Sequence, residues 1–128
     1  MPRVLVIDDQ ADVRAIIAIV LRVQHFEIVE AANASEGMKA FEDSRFDIAV
    51  VDIFLQGTSG VDVILAMRER RPDLPVVAIS GMTTLDFVSD SPELSNVVCL
   101  RKPFRPNELL RAIEEAREAV REPAADAM

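Results

Sequence analysis

A chain of 128 residues, half of them hydrophobic, is long enough to close one well-buried core and too apolar for a disordered segment. Its formal net charge of −8 opposes broad attraction to nucleic acid or anionic lipid, and its apolar runs fall far short of the roughly 20 residues of a membrane span. The single cysteine, Cys99, excludes an internal disulfide, and Met1-Pro2-Arg3 leads into a strand without a basic, apolar leader, so the expected setting is cytoplasmic.

Arg3-Val4-Leu5-Val6-Ile7 reads as a buried strand that stops at Asp8-Asp9. Val13, Ile16, Ile17, Val20 and Leu21 then recur at the helical period and predict one buried stripe. Phe26-Glu27-Ile28-Val29-Glu30-Ala31 alternates apolar with polar, as a half-exposed strand near a sheet edge does. Ser35 is the expected cap of a second helix, to which Met38, Ala40 and Phe41 lend apolar contacts. Phe46-Asp47-Ile48-Ala49-Val50-Val51 is a strand buried on both faces, and Asp52 stands where it leaves the sheet. The turn cluster Gln56-Gly57-Thr58-Ser59-Gly60 opens a third helix, closed by Arg68, Arg70 and Arg71 at its negative end.

A fourth buried strand over residues 74–79 delivers Ser80-Gly81. Residues 83–90 have helical potential, but Ser89-Asp90-Ser91-Pro92 interrupts it, so the expected fourth helix is short and irregular. Asn96-Val97-Val98-Cys99-Leu100 is a fifth strand, followed by Arg101-Lys102-Pro103-Phe104. Pro106 starts a fifth helix with Leu109, Ile113, Ala116 and Val120 inward, and its alternating charges read as a solvated face. The expected domain covers residues 1–121, with a short tail at 122–128.

Strands alternating with helices imply right-handed crossovers and a parallel sheet covered on both faces. The common small solution is a doubly wound, flavodoxin-like α/β sheet of five strands in the order 2-1-3-4-5, here with five helices. In such a sheet the ends of the first, third, fourth and fifth strands share one edge, so Asp8, Asp9, Asp52, Ser80 and Lys102 converge. Each alone has a plain reading: Asp8-Asp9 or Asp52 caps a turn, Ser80-Gly81 is a turn, and Lys102 is a surface lysine. Together they suit phosphoryl chemistry. Three carboxylates in one crevice repel one another and need compensation, which a hard cation such as Mg²⁺ supplies. Lys102 and Ser80 can meet anionic oxygens, and a carboxylate is an acceptable nucleophile that forms an acyl phosphate.

In this order and spacing, Asp8-Asp9, Asp52, Ser80 and Lys102-Pro103-Phe104 resemble a bacterial response-regulator receiver domain, over essentially the whole chain. The resemblance implies Asp52 as phosphoacceptor. It implies Mg²⁺ held by Asp9 and Asp52, by the backbone carbonyl of Phe54, and by Asp8 chiefly through water. Ser80 would be the hydroxyl switch, Lys102 the phosphoryl contact, and Lys102-Pro103 a cis peptide bond. A histidine kinase or histidine phosphotransfer protein would donate the phosphoryl group. An unidentified downstream protein would read the result as a population shift, and any weak dimer of the otherwise monomeric chain would form, on the face of the fourth helix, fifth strand and fifth helix. The chain reads as a stand-alone receiver with no enzyme activity beyond self-phosphotransfer and self-dephosphorylation.

The sequence departs from the family pattern in places. Cys99 stands at the switch position where the family has an aromatic ring, and Gln56 stands where a proline is usual. Phe54 and Met82 flank the site and would hinder an attacking water, which predicts a long-lived phosphoryl group. Cys99 otherwise reads as a small core residue, and His25, the only histidine, as a surface loop residue. One rival is a degenerate receiver that binds its partner constitutively. Another is a Mg²⁺-dependent phosphohydrolase, against which Phe54 occupies the place of its second acid. A flavin-binding module of the same topology lacks its phosphate loop after strand one.

Overall fold

The computed structural model describes residues 1–81, 94 and 96–121. The main sheet comprises β1 (Arg3–Ile7), β2 (Glu27–Ala31), β3 (Ile48–Asp52), β6 (Val76–Ser80) and β7 (Val98–Arg101). Its order is β2-β1-β3-β6-β7, with every neighbouring pair parallel. Between β3 and the third helix the chain forms a small antiparallel hairpin, β4 (Phe54–Leu55) and β5 (Thr58–Ser59). With that hairpin set aside, the order is the expected 2-1-3-4-5. The predicted turn cluster is thus a hairpin, whose tip carries Gly57 at φ 77°, a conformation that glycine adopts without steric cost.

Alternation along the strands divides the interior in two. Leu5, Ile7, Ala49, Val51, Val76 and Ala78 face one side, with α2 (Ala34–Asp43) and α3 (Gly60–Arg70) over them. Val4, Val6, Ile48, Val50, Val77 and Ile79 face the other, beneath α1 (Ala11–Val23) and α4 (Pro106–Arg121). Strands β3 and β6 are buried at every residue, which accounts for their unbroken apolar runs. Edge strand β2 is exposed at Glu27 and Glu30 and buried at Ala31, as its mixed sequence predicts.

Three expectations are corrected. Among the described residues there are four helices, not five. The irregular fourth segment expected at 83–90 lies outside the described residues, as do Met82, the turn at Pro92 and the tail at 122–128. The polar cluster before Pro92 leaves that stretch with the weakest helical pattern in the chain. On α1 the buried residues are Ile17, Ala18 and Leu21, whereas Ile16 is 51% exposed. Ile16 instead joins Ile19 and Val23 on a second, outward apolar stripe, because a step of 100° from Ile17 carries it off the core face. Finally, α2 is capped by Asn33 and not Ser35: the Asn33 side chain accepts from the Glu36 N–H, and Glu36 accepts in return from the N–H of Ala32.

Candidate functional site

The carboxyl edge of the sheet gathers the chemistry. Asp8 follows β1 directly, Asp52 and Ser80 are the last residues of β3 and β6, and Lys102 follows β7. The register sets Asp52 opposite Ile79 and Ser80 opposite Arg101, so four strands end nearly level. Beyond them lies a crevice of about 450 Å³ lined by Asp9, Gln10, Asp52, Phe54, Gln56, Gly81 and Lys102.

Asp52 is buried, and both its oxygens accept hydrogen bonds: Oδ1 from the Phe54 N–H at 3.0 Å and Oδ2 from Lys102 Nζ at 3.1 Å. Asp8 has no exposed surface. Its Oδ1 accepts from the Gln10 N–H at 2.8 Å. Its Oδ2 lies 2.9 Å from Lys102 Nζ, but off the line of a hydrogen bond, so the contact is an ion pair and that oxygen keeps its lone pairs. Asp9 stands half-buried at the rim. One oxygen from each of Asp8, Asp9 and Asp52 lies within 4.8 Å of the others.

The electrostatics follow from this crowding. Burial pushes the Asp8 carboxyl above its ordinary value, and the charge of Asp52 adds to the push; the Gln10 N–H and Lys102 oppose it without cancelling it. Burial by itself would lower Lys102, but the carboxylates of Asp8 and Asp52 outweigh it and raise its pKa, so the ammonium stays charged. One ammonium facing three carboxylates leaves the crevice short of positive charge. An all-oxygen donor set, with a buried Asp8 oxygen lacking a hydrogen bond, fits a hard divalent cation and no soft one. The triad is therefore a site able to hold a divalent metal.

Neighbouring groups hold the site in shape. The Arg14 guanidinium donates to the backbone carbonyl of Asp8 and pairs with Glu30 at 3.3 Å, which ties α1 and β2 to the acidic turn. The N–H of Lys102 donates to the Ser80 carbonyl at 2.7 Å, continuing the β6–β7 ladder to the edge. The Lys102-Pro103 peptide is cis. Ser80 is fully buried at the end of β6 and is not among the residues that line the crevice, whereas Phe54 is 44% exposed at its mouth. Cys99 is not the small core residue expected: it lies on β7, exposed, in a groove shared with Glu108, Arg111 and Glu115 of α4. Sequence reasoning missed Gln10, whose Oε1 accepts from Lys102 Nζ at 2.9 Å. A polar residue beginning a helix reads as a cap, and nothing local announces a partner so distant in sequence.

Residues 4–114 match the response regulator receiver domain family, and the chain belongs to it. It is accordingly a phospho-accepting signalling module of two-component systems. Among curated proteins it is 34% identical over 113 residues to the transcriptional regulatory protein PrrA of Mycobacterium bovis, covering 88% of this chain and 48% of that protein. It is 29% identical over 120 residues to a putative NtrX-like response regulator of Rickettsia bellii, covering 92% of this chain and 25% of that one. The chain thus spans between a quarter and a half of these relatives. A solved receiver domain from Clostridium thermocellum superposes with a TM-score of 0.82 at 26% identity, covering 92% of this chain and 95% of the other. No helix among the described residues is long and apolar enough to cross a membrane.

Proposed function

We propose that Asp52 accepts a phosphoryl group from a phosphohistidine, with Mg²⁺ as the cation of the acidic triad. The observation that carries this reading is the convergence of Lys102 Nζ, 3.1 Å from Asp52 Oδ2, with three carboxylates whose oxygens lie within 4.8 Å. An Asp52 oxygen attacks phosphorus, a P–O bond forms as the N–P bond breaks, and the imidazole keeps the electron pair. Lys102 exchanges a carboxylate for a phosphoryl oxygen, and the Ser80 hydroxyl donates to another. Asp8, Asp9 and Asp52, with the Phe54 carbonyl, would hold the metal, which when bound neutralises the equatorial phosphoryl oxygens. Water later breaks the P–O bond and restores the Asp52 carboxylate and inorganic phosphate. The large Phe54 side chain at the mouth favours slow loss, since it crowds the path of that water.

The donor must reach a buried acceptor, so a histidine kinase or phosphotransfer protein has to dock around the rim. The outward stripe of α1, Ile16, Ile19 and Val23, supplies apolar surface beside it, and Ile16 itself lines an adjoining apolar crevice with Val13, Pro103 and Phe104. Output passes through protein contact at the face of β7 and α4, where Ser80 and Cys99 stand on adjacent strands; the same face would seat any weak dimer. A cytoplasmic setting accords with the lone cysteine.

The test is intact mass after incubation with acetyl phosphate and Mg²⁺. A phosphoryl adduct is expected on the native chain, absent from Asp52→Ala and prevented by EDTA. An adduct that persists in Asp52→Ala overturns the assignment. No adduct from acetyl phosphate or from phosphorylated kinases favours a constitutive binding module.

A further inference from the structure

We infer that Gln10 is a positioning residue that holds the Lys102 ammonium at the rim, so that Lys102 can release the carboxylates to a cation and turn to a phosphoryl oxygen. This rests on the reading of Asp52 as acceptor.

Lys102 has three N–H donors and a side chain only 16% exposed. Its ammonium donates to Asp52 Oδ2 at 3.1 Å and to Gln10 Oε1 at 2.9 Å, and it is ion-paired with Asp8 Oδ2 at 2.9 Å. Two of these oxygens belong to carboxylates of the acidic triad, and a cation bound there draws on the same carboxylates. An ammonium whose acceptors were all carboxylates would compete with the cation, or lose its contacts when the cation entered. Gln10 is the acceptor outside this competition. Being neutral, it adds no fourth negative charge, and an amide oxygen accepts well from an ammonium.

The residue is held for this task at both ends. Its backbone N–H donates to Asp8 Oδ1 at 2.8 Å, which fixes the main chain where α1 begins. Its side chain makes no capping bond to α1 and reaches instead across 92 positions of sequence to Lys102. A residue present only to begin the helix would spend its side chain on the helix N–H groups. The donor fixes the orientation of the amide, because only oxygen can accept from Nζ.

The test is a double-mutant cycle on the full chain with Gln10→Met, Lys102→Met and the pair. Mg²⁺ affinity is read from amide shifts, and phosphoryl uptake from acetyl phosphate at saturating Mg²⁺. Loss of one solvent-exposed hydrogen bond predicts that Gln10→Met weakens Mg²⁺ binding and slows uptake, each by about threefold to tenfold. In the Lys102→Met background the same change should alter neither, and Gln10→Ala should behave as Gln10→Met does. Equal effects in both backgrounds, no effect in the native background, or a defect confined to one of the two Gln10 variants would overturn the proposal. If the native chain takes up no phosphoryl group, the Asp52 reading fails, and the Mg²⁺ cycle still decides the role of Gln10.

Discussion

Asp8 holds its carboxyl where the solvent cannot reach it, as one of three carboxylates placed to hold a cation. Burial raises its pKa above 3.8, so the folded chain holds a proton that the unfolded chain has already released. The sign follows: as pH rises from 3.8 through the raised value, this group's contribution to stability falls, and at neutral pH its ionisation works against folding. Asp8→Asn should therefore raise Tm at neutral pH by about 3 °C, for a gain on the order of 1 kcal/mol, and abolish tight Mg²⁺ binding. On acidification toward 3.8 the native chain should gain on the variant. Thermal melts across pH decide it, and a lower Tm for Asp8→Asn at neutral pH would refute the argument. The placement of Asp8, Asp52, Ser80 and Lys102 at strand ends was legible in the sequence because each is a polar interruption at the end of an apolar run. Gln10 was not, since its partnership is a fact of three dimensions.

Among the elements, the link from β3 to α3 is the most constrained. A Cβ on Gly60 would stand 2.0 Å from the backbone oxygen of Asp52, and backbone cannot step aside as a side-chain tip can. Gly60→Ala should cost about 1–3 kcal/mol and displace Asp52, so both denaturant midpoint and phosphoryl uptake should fall. The end of α1 offers the opposite case. The Phe26 N–H donates to the Leu21 carbonyl and the His25 N–H to that of Arg22, a Schellman closure in which His25 takes φ 68°, the place usually given to glycine. His25→Gly should raise stability by about 1 kcal/mol, read as a higher urea midpoint with unchanged slope. At this scale the sequence was less transparent. Apolar period told that α1 exists but misjudged Ile16, because Val13, Ile16, Ile17, Val20 and Leu21 cover more of the helix than one sheet face can bury. Ser35 and Asn33 are both good caps, and the choice between them falls to the reciprocal bond with Glu36.

For the whole molecule, the strand order creates the crevice. The chain leaves β1 toward β2 on one side, then crosses back to β3 on the other, and ligands bind where these paths diverge. Alternation of buried and exposed residues carried most of that architecture, since both faces of the sheet need cover; the Gln56-Gly57 hairpin was hidden because short turn residues name a bend without naming its pairing. The outward stripe of α1 gives the last prediction. Ile19→Asp with Val23→Asp should slow transfer from a phosphorylated histidine protein at least tenfold, since each would bury an unpaired carboxylate in the contact at a cost above about 1 kcal/mol. Uptake from acetyl phosphate should be unchanged, because neither residue lines the crevice. Equal loss from both donors would refute the docking face.

The unsatisfied oxygen of Asp8 has a consequence for the lifetime of the protein. A ligand that binds the folded chain alone raises its unfolding free energy, by about 2.7 kcal/mol at a hundredfold excess over Kd. Because one ammonium faces three clustered carboxylates until a cation arrives, occupancy at one end of the sheet would become resistance to unfolding throughout it. Cells short of the cation would hold a chain that opens more often and is degraded sooner, so cation supply sets how much of the switch persists as well as how readily it is charged.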